Sequence, residues 1–195
     1  DIEELLTSVE SFCIGVEKGV GKALKVVRDL KRVDGERFSE RLGLVSLPIF
    51  LRDLVAMLRV NAAETEVEIE YVMDMDVSIE THPQLLSQVI VELVENALKH
   101  GFMGRKGRIE IRALPHGERL QIRVSDDGVG MSRDEMRKVF DPFYTTHMST
   151  ATGLGLTMVS NIVTGPLSGW VWAEPSEPGG ACFVVTIPLT AKAYE

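Results

Sequence analysis

Two cysteines in 195 residues, Cys13 and Cys182, are too few for a disulfide framework or a four-ligand zinc site. They point to a reducing compartment, and we expect a cytoplasmic domain. No apolar run approaches the roughly 18 residues of a membrane-spanning helix, and no signal-peptide pattern opens the chain. Positive charge is also short. A net charge of −8 argues against an electrostatic surface for duplexes, so no nucleic-acid partner is expected. Aspartate stands first rather than methionine, so we expect a fragment of something longer, with any membrane attachment upstream. What is present is ordinary for a globular protein, with 45% hydrophobic and 26% charged residues. The length suits one sizeable domain with a helical appendage.

The first third reads as helical. Ile2, Leu5, Val9, Phe12, Val16, Val20, Ala23, Val27 and Leu30 recur at steps of three and four. That seam wants a partner, either its own domain or a second copy, and we favour a homodimer through residues 1–36. Gly15, Gly19 and Gly21 mark a hairpin loop or a weakened stretch of one long helix. We assign residues 1–45 to this segment and 46–195 to a second domain. There Ser46 is the expected N-cap of a helix with the stripe Leu51, Leu54, Leu58 and Ala62. "EVEIEYV" (66–72) alternates as a half-buried strand. Residues 83–100 predict a helix burying Leu85, Val89, Leu93 and Ala97. "GRIEIRAL" and "RLQIRVSD" form a hairpin around "HGE". Ser132 and Glu135 spell a capping box, and another helix starts near Leu154 and stops at "TGP". "GWVWAE" and "ACFVVTIPL" close the chain as strands. The expected class is α+β, a sheet with helices over one face and the other face open.

Four stretches could carry chemistry. On the helix 83–100, Glu92, Asn96 and Lys99 share the face opposite the apolar stripe. A carboxylate, a neutral oxygen and a cation in that order suit a magnesium–phosphate group, and equally a solvated helix face. In "DDGVG", Asp126 ends an apolar strand, where its carboxylate can accept from an exocyclic amine such as adenine's. Gly128 and Gly130 let backbone approach a flat ring, although Asp-Gly is also a common turn. "TGLGL" puts Gly153, Leu154 and Gly155 where a loop becomes a helix, a place for phosphate or simply a tight helix start. "FDPFY" offers Phe140 and Phe143 as anchors of a cover over the site, or as core residues.

Taken together and in this order, "ELVENALKH", "DDGVGM", "FDPFY" and "TGLGL" resemble the N, G1, F and G2 boxes of the sensor histidine kinases. These belong to the wider superfamily of gyrase, heat-shock-chaperone, histidine-kinase and mismatch-repair ATPases. The resemblance covers residues 46–190. It implies a two-layer α/β sandwich with a mixed sheet, and ATP held between the helices and a lid. By position it implies Asn96 as the Mg²⁺ ligand. Glu92 stands where relatives often have Asn and the superfamily's hydrolases a water-activating Glu. Lys99 and His100 match residues near the phosphates, and Asp126, Gly128 and Gly130 match the adenine site. Phe140 and Phe143 match the lid aromatics, and Gly153, Leu154 and Gly155 the second glycine box.

The departures are informative. The family's phosphoacceptor histidine lies in a helical dimerisation hairpin. Here His82, His100, His116 and His147 all fall outside the N-terminal segment. The expected function is therefore the catalytic portion of a two-component histidine kinase. It would bind Mg-ATP and phosphorylate a histidine helix outside this fragment, with a response-regulator receiver domain downstream. The lid stretch "HMSTATG" is short and lacks the lysine common near its start, and Ala181 replaces a frequent threonine. Two rivals stand: an ATP hydrolase in which Glu92 activates water, and a non-catalytic dimeric adaptor.

Overall fold

In a computed structural model, residues 42–73, 76–102, 104–145, 153–177 and 179–190 are described. The expected helical seam of residues 1–36, His147 and most of the lid stretch lie outside them.

The described residues open with strand β1 (Gly43–Ser46) and helix α1 (Leu47–Asn61). The boundary expected after residue 45 thus falls inside a strand. Ser46 does occupy the position before α1, but its side chain makes no capping bond, and proline in the first turn starts the helix instead. Strands β2 (Val67–Val72) and β3 (Ser78–Thr81) follow, then α2 (Pro83–Asn96). Helix α2 does not run regularly to residue 100. It widens into a π turn over Ala97–Gly101. Next come β4 (Gly107–His116), β5 (Arg119–Asp126), α3 (Arg133–Lys138), α4 (Gly155–Thr164), β6 (Trp170–Pro175) and β7 (Ala181–Pro188).

Among the described residues, five strands form one sheet in the order β2-β4-β5-β7-β6. β2 and β4 are parallel and every other neighbouring pair is antiparallel, so the sheet is mixed as expected. β1 and β3 make a separate antiparallel pair.

Alternation sorts the faces. Ile109, Ile111 and Ala113 of β4, Leu120, Ile122 and Val124 of β5, and Phe183, Val185 and Ile187 of β7 all enter the core. Helices α1, α2 and α4 cover that face with Leu51, Leu58, Leu86, Ile90, Leu93, Val159 and Ile162. The outer face is a charge ladder. Arg108 pairs with Glu70 at 2.7 Å, Arg112 with Glu110 at 3.0 Å, and Arg123 with Glu174. Arg119 lies 4.0 Å over the Trp170 ring. The same parity places Asp126, two residues after Val124, on the inner face and carries a carboxylate into the helix layer.

Candidate nucleotide-binding site

Asp126 is only 5% exposed, and burial pushes its carboxyl above the usual aspartate range. Two backbone N–H groups oppose that shift by donating to Oδ1: Gly128 at 2.9 Å and Ala181 at 3.2 Å. Oδ1 is thereby committed to the protein, and Oδ2 is left for another donor. Neighbouring Asp127 faces solvent, and its Oδ1 accepts from the Arg108 N–H at 2.7 Å. The side chains diverge, as strand alternation requires.

Bare backbone surrounds the buried carboxylate. A side chain on Gly128 would come within 2.4 Å of the Gly101 carbonyl oxygen. Gly180 (φ +90°) presses equally close, since a Cβ there would lie 2.0 Å from the Asp126 carbonyl oxygen. Gly101 and Gly180 belong to this ring, although sequence spacing gave no sign of them. Ala181, which lacks threonine's hydroxyl, contributes its backbone N–H. The only cysteine among the described residues, Cys182, follows it. Burial raises that thiol to about 11, so it is no nucleophile at neutral pH.

Helix α2 presents Glu92 and Asn96, both half-buried and one turn apart. Glu92 reaches the first residue of α4, since a Cβ on Gly155 would lie 2.9 Å from its Oε2. The second glycine stretch therefore meets helix α2 where Gly155 faces Glu92. Leu154 is buried beneath it. The first amides of α4 have no intrahelical partners and form the positive helix end, which favours anions. Lys99 lies beyond the regular part of that helix. Within the π turn it is exposed, and its ammonium contacts Glu95 at 2.5 Å. His100 is half-buried in the same turn.

The two phenylalanines part company. Phe140 packs edge-on against Phe183, with ring centroids 6.1 Å apart, and its carbonyl accepts from Thr157 Oγ1 at 3.2 Å. It is a core anchor. Phe143 is 59% exposed at φ +65°, a left-handed conformation costly for a bulky residue. Its N–H donates to the Gly153 carbonyl at 3.0 Å. Before it, α3 is fixed by the expected capping box: Ser132 N–H to Glu135 at 2.7 Å, and Glu135 N–H to Ser132 Oγ at 3.3 Å.

Among the described residues, no three His, Cys, Asp or Glu side chains cluster to hold a metal. Glu92 and Asn96 supply one carboxylate and one neutral oxygen. That donor set fits Mg²⁺ when nucleotide phosphates and waters complete the shell.

Residues 81–191 match the family described as histidine kinase-, DNA gyrase B- and HSP90-like ATPase. The chain belongs to this family. The sensor histidine kinase ZraS of Salmonella typhimurium is 30% identical over 153 residues, 77% of this chain, and the match spans 32% of that protein. Among solved structures, full-length ShkA in complex with AMPPNP has a TM-score of 0.77 at 22% identity, covering 95% of this chain and 40% of that one. Histidine kinase ThkA in complex with the response regulator TrrA has a TM-score of 0.71 at 20% identity, covering 90% and 49%. This family's chain therefore carries the ATP-binding fold of histidine kinase catalytic domains. Among the described residues no helix is long and apolar enough to cross a membrane.

Proposed function

We propose that this chain is the catalytic portion of a sensor histidine kinase, binding Mg-ATP and passing the γ-phosphoryl group to a histidine outside residues 1–195. The observation that carries the reading is Asp126. It is a buried carboxylate with one oxygen held by two amides and the other left to accept the adenine amine. Gly155 lies beside Glu92, and with Gly153 and Leu154 it would receive the phosphates at the start of α4. Asn96, with Glu92 close by, would hold Mg²⁺, which supplies charge neutralisation when bound. Lys99 would leave Glu95 to reach the phosphates, with His100 beside it.

Phosphoryl transfer asks the protein mainly for positioning and electrostatics. The acceptor imidazole nitrogen forms the new P–N bond as the bond to the β-phosphate oxygen breaks, and ADP leaves. Glu92 can orient that imidazole and take its proton. We assign residues 1–36 to homodimerisation and the response-regulator receiver domain to the next transfer. The site would work in the cytoplasm.

A second reading is favoured by one observation, the Glu92 carboxylate at the helix start that would cradle phosphate. There it could activate water, making the chain an ATP hydrolase. To separate them, the full gene product carrying this chain is incubated with γ-labelled ATP and Mg²⁺. Acid-labile label on the protein, lost with Asn96→Asp, is the expected result. Free phosphate without bound label, abolished by Glu92→Gln, would replace the kinase with the hydrolase. If ATP failed to raise the melting temperature, the adaptor would stand instead.

A further inference from the structure

Three glycines press on Asp126 Oδ1, and they do not press equally. A Cβ would lie 2.8 Å from it on Gly128, 2.7 Å on Gly180 and 3.3 Å on Gly101. The first two would also meet backbone at 2.4 and 2.0 Å, so a side chain at either position disrupts the fold. Gly101 is different. Its nearest neighbours are all atoms of the one carboxylate: Oδ1 at 3.3 Å, Cγ at 3.5 Å and Oδ2 at 3.9 Å. It is buried, it closes the π turn that begins directly after Asn96, and its carbonyl accepts from Val129 N–H at 2.9 Å. It also has no left-handed φ, so its backbone tolerates alanine.

From this we infer that Gly101 is a positioning residue for base recognition: its bare Cα holds the Asp126 carboxylate in the rotation that presents Oδ2 to an exocyclic amine. The inference rests on the nucleotide reading of the site. The carboxylate cannot retreat from a Cβ without lengthening the bonds from Gly128 and Ala181. It would rotate instead, and Oδ2 would leave the line of the incoming donor. Hydrogen bonds lose strength steeply with misalignment. The π turn would thus set base recognition from the same helix that carries Asn96.

The test compares Mg-ATP with the Mg complex of purine riboside triphosphate, which lacks only the exocyclic amine. Binding to the 195-residue chain is measured by calorimetry. Wild type should prefer ATP. Gly101→Ala should lower ATP affinity roughly tenfold and affinity for the analogue less than about twofold, because only the amine contact is lost. In an Asp126→Asn background the same change should leave both affinities where they stand. Gly43→Ala, where a Cβ meets nothing within 4 Å, should change neither. Equal losses for both ligands, no loss for either, a further tenfold loss in the Asn background, or a Gly101→Ala chain that does not fold would each overturn the inference. Wild type binding neither ligand would remove the nucleotide reading itself, and wild type binding both equally would overturn recognition of the amine by Asp126. Discrimination in wild type that survives Gly101→Ala would remove only the role of Gly101.

Discussion

The two ends of the site are built by opposite means. At the base end, Asp126 is buried and its Oδ1 is bonded to two amides, in a ring where any Cβ on Gly128 or Gly180 would strike backbone. A retreat of Oδ1 would lengthen both of those bonds. At the phosphate end the backbone start of α4 is joined by side chains that are exposed or half-buried. Lys99 is exposed beside Glu95, and Phe143 stands in solvent at a strained φ. The base end is preorganised, and the phosphate end holds charges that must be redirected when phosphate arrives. Binding to a prearranged group costs little ordering, whereas recruiting Lys99 costs its pairing and rotamer freedom. Affinity should therefore be set at the base end, and the chemistry at the other.

The largest effect expected from this contrast is at Asp126. Asp126→Asn leaves the shape intact but puts an amide where an acceptor is needed, or turns the amide onto two N–H donors. ATP affinity should fall about a hundredfold, the cost of a charge-assisted bond lost in a buried place. Asp127→Asn keeps an oxygen that can accept from Arg108 N–H, removes only a charge at an exposed position, and should change affinity less than about threefold. Isothermal titration of the two variants gives the comparison directly. Equal losses would mean that the preorganised end has been misplaced.

How much of this was written in the sequence follows from what each signal depends on. The alternation of Leu120, Ile122 and Val124 already fixes the side on which Asp126 falls, because strand parity is local. The apolar stripe of α2 and the capping box of α3 are local as well, and both stand as read. The π turn was hidden, since "ALKHG" carries no mark that its last turn holds one residue more than usual. Strands β1 and β3, four residues each, are too short to show alternation, and their pairing joins segments more than thirty residues apart. Phe140 and Phe143 look alike in "FDPFY". Only the Phe183 ring, far along the chain, makes one a core residue and leaves the other outside.

Phe143 offers a middle-sized test of the same contrast. A left-handed conformation costs a non-glycine residue about 1–2 kcal/mol, and glycine's own flexibility costs roughly 0.5–1. Being 59% exposed, the ring buries little to offset that strain. Phe143→Gly should therefore stabilise the apo chain by roughly 0.5 kcal/mol in urea unfolding while weakening Mg-ATP severalfold. A residue that costs the fold and serves the ligand is what an end assembled on binding should contain. Lower stability with unchanged affinity would make Phe143 a structural residue.

The smallest effect concerns protonation at the base end. Burial raises the Asp126 carboxyl above its usual range. The protonated form is thus relatively favoured in the folded chain. Its contribution to stability is complete below the unfolded value near ~3.9 and is lost as pH rises through the folded value. Recognition of the amine has the opposite sign, because it needs the ionised acceptor. As pH falls from neutral toward about 4, the preference for ATP over the analogue without the amine should shrink before the affinity for the analogue changes. In Asp126→Asn the ratio should stay flat. Triphosphate protonation affects both ligands alike and cancels in the ratio, so a slope confined to the wild type isolates one carboxylate. A wild-type ratio flat down to about pH 4 would show that the base end reads something other than an amine.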